Sequence, residues 1–205
     1  ISVTHAASFI LVGTMNPEEG DLRPQLLDRF GLCVDIRGIR DVEERVRIIE
    51  RDAARTDGGS VVLLHEYRGA EQRLRDVIAK AQELLPLVQV PAQMRWFIAL
   101  VCIDAGALGH RADIVVNNTA RTLCAWREAA VIVGADAGAE PNADTLTVGI
   151  GDVIAAADLA LAHRRTRRGD TSPPVPGTAQ QQSEERRERY EEMAQQAETA
   201  SSETG

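Results

Sequence analysis

Two side chains early in the chain have the types that phosphoryl chemistry needs. Asn16 follows the apolar run Phe9-Ile10-Leu11-Val12 and the residues Gly13-Thr14-Met15, and it precedes Pro17. Arg29 comes next, in the string Leu22-Arg23-Pro24-Gln25-Leu26-Leu27-Asp28-Arg29-Phe30. Hydrolysis of a terminal phosphate requires a water held in line, and a side-chain amide can accept from that water while donating to a phosphate oxygen. A guanidinium adds a planar, permanently charged fork for the negative charge that develops on the phosphoryl group. Each residue also has a plain structural reading. Asn16-Pro17 can be a turn that holds no ligand, and Arg29 can be the ion-pair partner of Asp28 or Asp35 at a helix end. Asn-Pro alone favours the turn; the Arg-bearing string behind it tips the balance toward chemistry.

Positioning these groups takes a strand, a helix and a second strand. The run from Phe9 to Val12 reads as a strand buried on both faces, stopped where the residue before a proline is pushed out of the helical region. Asn16 then stands at a strand's carboxyl end, where open α/β sheets bind ligands. A short helix is expected around Arg23 to Phe30, and a last strand over Cys33-Val34-Asp35-Ile36-Arg37. Helices follow. Asp41 can cap one that carries Val42, Val46, Ile49 and Ala53, with Gly58-Gly59 breaking it. A second has Ala70, Leu74, Val77, Ile78, Ala81 and Leu85 on one face and ends at Pro86 to Pro91. Two more span Ala92 to Leu108, with Met94, Phe97, Val101, Cys102 and Ala105 inward, and Arg111 to Arg127. The final one starts near Asp152 and carries Val153, Ile154, Ala157 and Leu161.

Three ordered strings carry a family resemblance: Gly13-Thr14-Met15-Asn16-Pro17-Glu18-Glu19-Gly20, Leu22 to Gly31, and Gly109-His110-Arg111-Ala112-Asp113. From about Phe9 to Arg168 the chain resembles the AAA+ ATPase subunits of magnesium chelatase, of the I/D type, with MoxR-like ATPases as their relatives. Chelatase-related helicases usually carry cysteines after their Asn-Pro; Glu18-Glu19-Gly20 departs from that pattern. The resemblance implies an α/β AAA+ core remnant over 1–38 (sensor strand, arginine-finger helix, last strand), an all-α helical region with the AAA+ lid over 39–168, and a disordered Pro-rich, acidic linker or tail over 169–205. It makes Asn16 the sensor-1 residue, Arg29 the finger that reaches a neighbouring subunit's ATP, and Arg111 the sensor-2 residue of the lid, with Arg23 and Asp28 on the intersubunit face. A solvated Arg at a helix start is the plain alternative for Arg111, though the positive end of the helix dipole disfavours it and Asp113 can balance it. His110 and His163 lack partners at metal-ligand spacing, so no metal site is expected of them. The arginines from Arg164 to Arg168 read as the end of a helix.

The implied activity is ATP-driven insertion of Mg2+ into protoporphyrin by a ring of homo- or hetero-oligomeric subunits. ATP and Mg2+ would be the cofactors, and a von Willebrand/integrin-I-type subunit and a large porphyrin-binding subunit the partners. Cobalt insertion into a corrin, a MoxR-like chaperone acting on a von Willebrand-type protein, and a non-hydrolysing ring subunit remain as alternatives. No Gly-x4-Gly-Lys-Ser/Thr phosphate loop occurs in the chain, and no apolar run ending in Asp-Glu precedes the sensor segment. The expectation is therefore the carboxyl-terminal part of an AAA+ module, inactive alone.

Composition bounds the class. The chain has 205 residues, 44% hydrophobic and only 3% aromatic, so its core must be built from Leu, Val, Ile and Ala. A formal net charge of -8 argues against nonspecific nucleic-acid binding, which displaces counterions from a basic face. Cys33, Cys102 and Cys124 are far apart in apolar stretches and read as core thiols of a reducing, cytoplasmic compartment. No membrane-spanning run is present. From Gly169 onward Ser172-Pro173-Pro174-Val175-Pro176-Gly177 excludes helix and sheet interiors, and the Gln/Glu/Arg stretch behind it lacks apolar residues to offset ordering entropy; Ser183 to Ala197 reads at most as a transient helix.

Because the phosphate cradle is missing from this sequence, the 205-residue polypeptide is expected to show no saturable ATP binding at micromolar nucleotide. Calorimetry that found one tight, magnesium-dependent site would contradict this.

Overall fold

A computed structural model describes residues 9–16, 23–27, 29–36, 38–54, 60–107, 109–134, 146–165, 185 and 188–197. The chain divides into two compact units, Ile1–Phe30 and Gly31–Gly205. In the first, one helical turn forms, α1 (Pro24–Leu27). Proline at its first position is preset for the helix and lacks an N–H that would go unsatisfied there. The Arg23 carbonyl accepts from Leu26 and Leu27 N–H, and the turn closes through Arg29 N–H to Leu26 O and Phe30 N–H to Leu27 O.

Residues 9–16 form no strand, and Phe9, Ile10, Leu11 and Val12 are 65–92% exposed. That corrects the buried sensor strand. A strand exists only through ladder hydrogen bonds to a neighbour, and the described residues offer none beside it. The last strand is likewise absent: 31–36 are irregular, with Val34 and Ile36 exposed. The segment instead lies along helices, Cys33 N–H donating to the Leu159 carbonyl at 2.9 Å.

The second unit is a helical body of α2 (Val42–Ala54), α3 (Ser60–Leu84), α4 (Ala92–Asp104), α5 (Arg111–Gly134), α6 (Ile150–Arg165) and α7, spanning 188–197. Asp41 caps α2 as expected, its Oδ1 accepting from Glu44 N–H at 2.9 Å. The apolar stripe of α2 is not covered, since Val42, Val46 and Ile49 are all exposed. A cation–π contact ties α2 to α3, Arg51 lying 5.3 Å from the Tyr67 ring centroid. Gly58-Gly59 lie outside the described residues.

Packing begins at the C-terminal half of α3. Val77, Ala81 and Leu84 turn inward while Leu74 and Ile78, expected on the same face, stay exposed. The chain then bends through a 3-10 turn, Leu85–Leu87, into an isolated parallel bridge between Gln89 and Thr147, which buries Val88, Leu146 and Val148. Arg121 of α5 closes the bend by donating from Nη2 to the Leu85 carbonyl.

The centre is α5 against α6. Buried residues of α5 fall in a row at every fourth position, Ala112, Val116, Ala120 and Cys124, and continue through Ala125 to Ala129. They face Val153, Ala156, Ala157, Ala160 and Leu161 of α6. Rows spaced by four are the ridges that interdigitate between helices, and small side chains in them let the backbones approach. α5 runs seven residues beyond the expected Arg127, because Ala129 belongs to that row. Phe97, Val101 and Cys102 of α4 cover the same core, and α4 stops in a Schellman turn in which Gly106 (φ 68°) donates to Ile103 O and Ala107 to Cys102 O.

Within the stretch expected to be a linker or tail with at most a transient helix over Ser183 to Ala197, residues 188–197 are helical. Tyr190, Ala194 and Ala197 are buried, and Met193 is partly buried beside them. These positions recur at three and four residues and form a narrow seam in a largely polar segment, enough to dock a helix once a groove exists. The Pro-rich residues 172–177 lie outside the described residues.

Exchange of backbone amides checks the contrast between the units. Amides of 9–16 should exchange near the unprotected rate, while those of 112–129 should be slower by about a thousandfold or more, as core helices are. Equal protection in both segments would overturn this account.

Candidate functional site

Arg29 and Asn16 belong to the first unit, and the fold brings their segments together. A Cβ placed on Gly13 would lie 3.3 Å from the Phe30 ring, so the sensor segment passes with its backbone against the aromatic residue that follows Arg29. A Cβ there would require the Phe30 ring to give by a few tenths of an ångström. The Asn16 and Arg29 side chains are exposed, as is Arg23. Asp28 lies outside the described residues.

Arg111 belongs to the second unit. It is exposed, on the first residue of α5, entered through Gly109 with φ 82°. A positive backbone angle there is strained for any residue with a Cβ, so a glycine ahead of the helix sets the entry. Asp113 in the same first turn supplies the negative charge that suits a helix start. Arg111 works against the same dipole. Among the described residues no group of three or more His, Cys, Asp or Glu comes together in a way that could hold a metal ion.

One charged constellation was not legible in the sequence. Asp152, in the first turn of α6, is the buried acidic residue of the core, 6% exposed. Its Oδ2 accepts from Gly149 N–H at 2.9 Å, the return half of a helix-capping box. Both of its oxygens accept from Arg127 Nη1 at 2.7 Å. Arg127 also meets Glu128 through Nε at 3.2 Å and Cys124 Sγ through Nη2 at 3.5 Å. Burial works against the Arg127 charge, but the hydrogen bond and charge of Asp152, with Glu128 behind them, outweigh it and raise its proton affinity above the ordinary value. At Cys124, burial first and the Asp152 carboxylate second push the thiol up, against the pull of Arg127. A thiol held protonated is a poor nucleophile, so Cys124 is a packing residue. Cys102 is buried, whereas Cys33 is only half-buried, and none of the three is in a disulfide.

Comparison with known proteins gives the same family as the three strings. The chain is 41% identical over 168 residues to the magnesium-chelatase subunit ChlI homolog of Methanocaldococcus jannaschii, covering 82% of this chain and 41% of that protein. It is 44% identical over 136 residues to the magnesium-chelatase 38 kDa subunit of Rhodobacter capsulatus, covering 66% and 38%. An uncharacterized protein of Mycobacterium tuberculosis is 41% identical over 167 residues, 82% of this chain and 24% of its own length. The chain thus spans about two fifths, or less, of the length of these relatives. No protein-family model matches it. Among the described residues, no helix is long and apolar enough to cross a membrane.

Asp152→Ala removes a cap and leaves Arg127 without its main partner. Because Arg127 is itself 45% exposed and water can replace part of the loss, the expected destabilisation is about 2–3 kcal/mol. Urea unfolding that showed parental stability for this variant would sink the assignment of Asp152 as the tie between α5 and α6.

Proposed function

We propose that this chain, a relative of the magnesium-chelatase I subunits, supplies the sensor, arginine-finger and lid parts of an AAA+ motor that couples ATP hydrolysis in a ring to insertion of Mg2+ into protoporphyrin. The observation that carries the reading is 41% identity across 82% of the chain to a protein named as a chelatase subunit homolog. The residues present fit a nucleotide's phosphates in kind: a side-chain amide and two guanidiniums, all solvent-facing, with one guanidinium at a helix start.

In this reading Asn16 orients the attacking water. Arg29, held on the turn that closes against Gly13, extends toward a neighbour's nucleotide and meets charge that develops in the transition state. Arg111 acts on its own subunit's nucleotide from the lid, while Arg23 and Asp28 belong to the contact between subunits. ATP with its magnesium supplies the free energy, and the transferred Mg2+ is cargo. A ring follows from the geometry of a finger acting in trans, and the porphyrin is handled by a separate large subunit.

Rates in mixed rings test these roles. In the ATPase-competent assembly, Arg29→Ala should lower turnover by about a thousandfold or more with little change in nucleotide affinity. Mixed with a phosphate-loop mutant it should recover part of the hydrolysis, since one partner brings an intact pocket and the other an intact finger. Arg111→Ala, acting in cis, should not be rescued in the same mixture. Absence of recovery with Arg29→Ala, or equal recovery with Arg111→Ala, would refute the trans and cis assignments. Magnesium insertion measured with the large subunit present tests the chelatase step itself.

A further inference from the structure

Two residues after Arg29 the chain is fastened to the helical body. Gly31 opens the second unit, and a Cβ built on it would stand 3.7 Å from Val115 Cγ1 of α5, so its backbone rests against that side chain. Cys33 N–H then donates to the Leu159 carbonyl of α6 at 2.9 Å. Leu159 lies inside α6, where its carbonyl also serves the helix's own ladder; the bond from Cys33 is an addition made between backbones. Exposure alternates along the segment: Gly31 and Cys33 are half-buried, Leu32 and Val34 exposed. Alternation of that kind is what an extended chain shows when one side of it lies on a surface.

Covalent geometry carries the anchor to Arg29. Consecutive Cα atoms are about 3.8 Å apart, so the Arg29 Cα stays within about 7.6 Å of that of Gly31 in any orientation of the first unit. The residue under Gly31 is itself near a candidate functional position, since Val115 follows Arg111 by four residues, one turn along the same face of α5.

We infer that residues 31–33 are positioning residues for Arg29, and that the α5–α6 pair, by holding them, sets where the finger of that subunit stands. The turn that bears Arg29 closes only on Leu26 and Leu27, which fixes the local shape of the turn and not its place. The anchor at Gly31 and Cys33 supplies that place. One helix, α5, then serves both arginines of a subunit: it bears Arg111 and holds the base of Arg29. The inference rests on the finger role proposed above; the anchor of 31–33 on α5 and α6 does not.

Hydrogen exchange on the full chain reads the anchor. The Cys33 amide should exchange about tenfold or more slowly than an open amide. Exchange at the open rate would remove the anchor and the proposal with it. In the ATPase-competent ring, two glycines inserted between Phe30 and Gly31 lengthen the link while leaving the anchor and the Arg29 turn intact. Turnover should fall by about a hundredfold, the size expected of a misplaced transition-state group, with nucleotide affinity within about twofold of the parent. Cys33→Pro, which removes the donor N–H, should do the same, whereas Cys33→Ala, which keeps it, should retain parental turnover. Mixing supplies a readout that a purely structural strap would not move. With a phosphate-loop mutant, the insertion variant should recover hydrolysis as Arg29→Ala does, because its own pocket is intact and only the finger it offers is misplaced. Parental turnover in the insertion variant would overturn the positioning role even if Cys33→Pro fails to fold. So would a loss that mixing does not rescue while Arg29→Ala is rescued. Arg29→Ala that is itself not rescued overturns the finger reading and the positioning role together.

Discussion

The helical body depends on keeping α5 and α6 in register along a seam built mostly of alanine, and Asp152 is where that register is pinned. Alanine side chains bury little area, so each contact contributes little and the row could slide by a turn at modest cost. A buried carboxylate cannot slide. It holds the first turn of α6 through the Gly149 amide and holds α5 through Arg127, and displacement would leave a charge in the core without its partner. The ion pair therefore acts less as a source of stability than as a constraint on which alignment of two weakly featured helices is allowed.

From that pinned pair the remaining helices take their places in order of what they can bury. α4 contributes the large side chains, Phe97 and Val101, that the alanine seam lacks. Among its described side chains, α3 reaches the core through its last turns, and the Arg121 guanidinium fastens its end to α5. α7 adds the one buried tyrosine. α2 buries almost nothing, and its exposed apolar stripe is the same composition without a groove to receive it.

The candidate functional groups sit outside this core. Arg111 stands at the solvent end of α5, and Asn16 and Arg29 stand on the unit in which Gly13 approaches Phe30. Arg127, by contrast, is engaged by the buried Asp152 carboxylate and serves to join α5 to α6.

Local and periodic information was legible in the sequence. The Asp41 cap, the inward faces of α4 and α6, the glycine-led entry into α5 and the three strings that resemble those of chelatase subunits can all be read from residue types and spacing, because helix caps, the 3.6-residue period and motif order are short-range properties. The strand over Phe9–Val12 could not be decided that way, since a ladder needs a neighbour and periodicity does not say whether one is there. Docking of α7 was equally invisible: Tyr190, Met193, Ala194 and Ala197 are too few among glutamates and glutamines to look like a core face. They become one only beside Phe97 and Asp104. Caps, helical periods and motif order were readable in the residues for α2 to α6, whereas the helix at 188–197, the covered stripes and the paired charges came from contacts with partners distant in the chain.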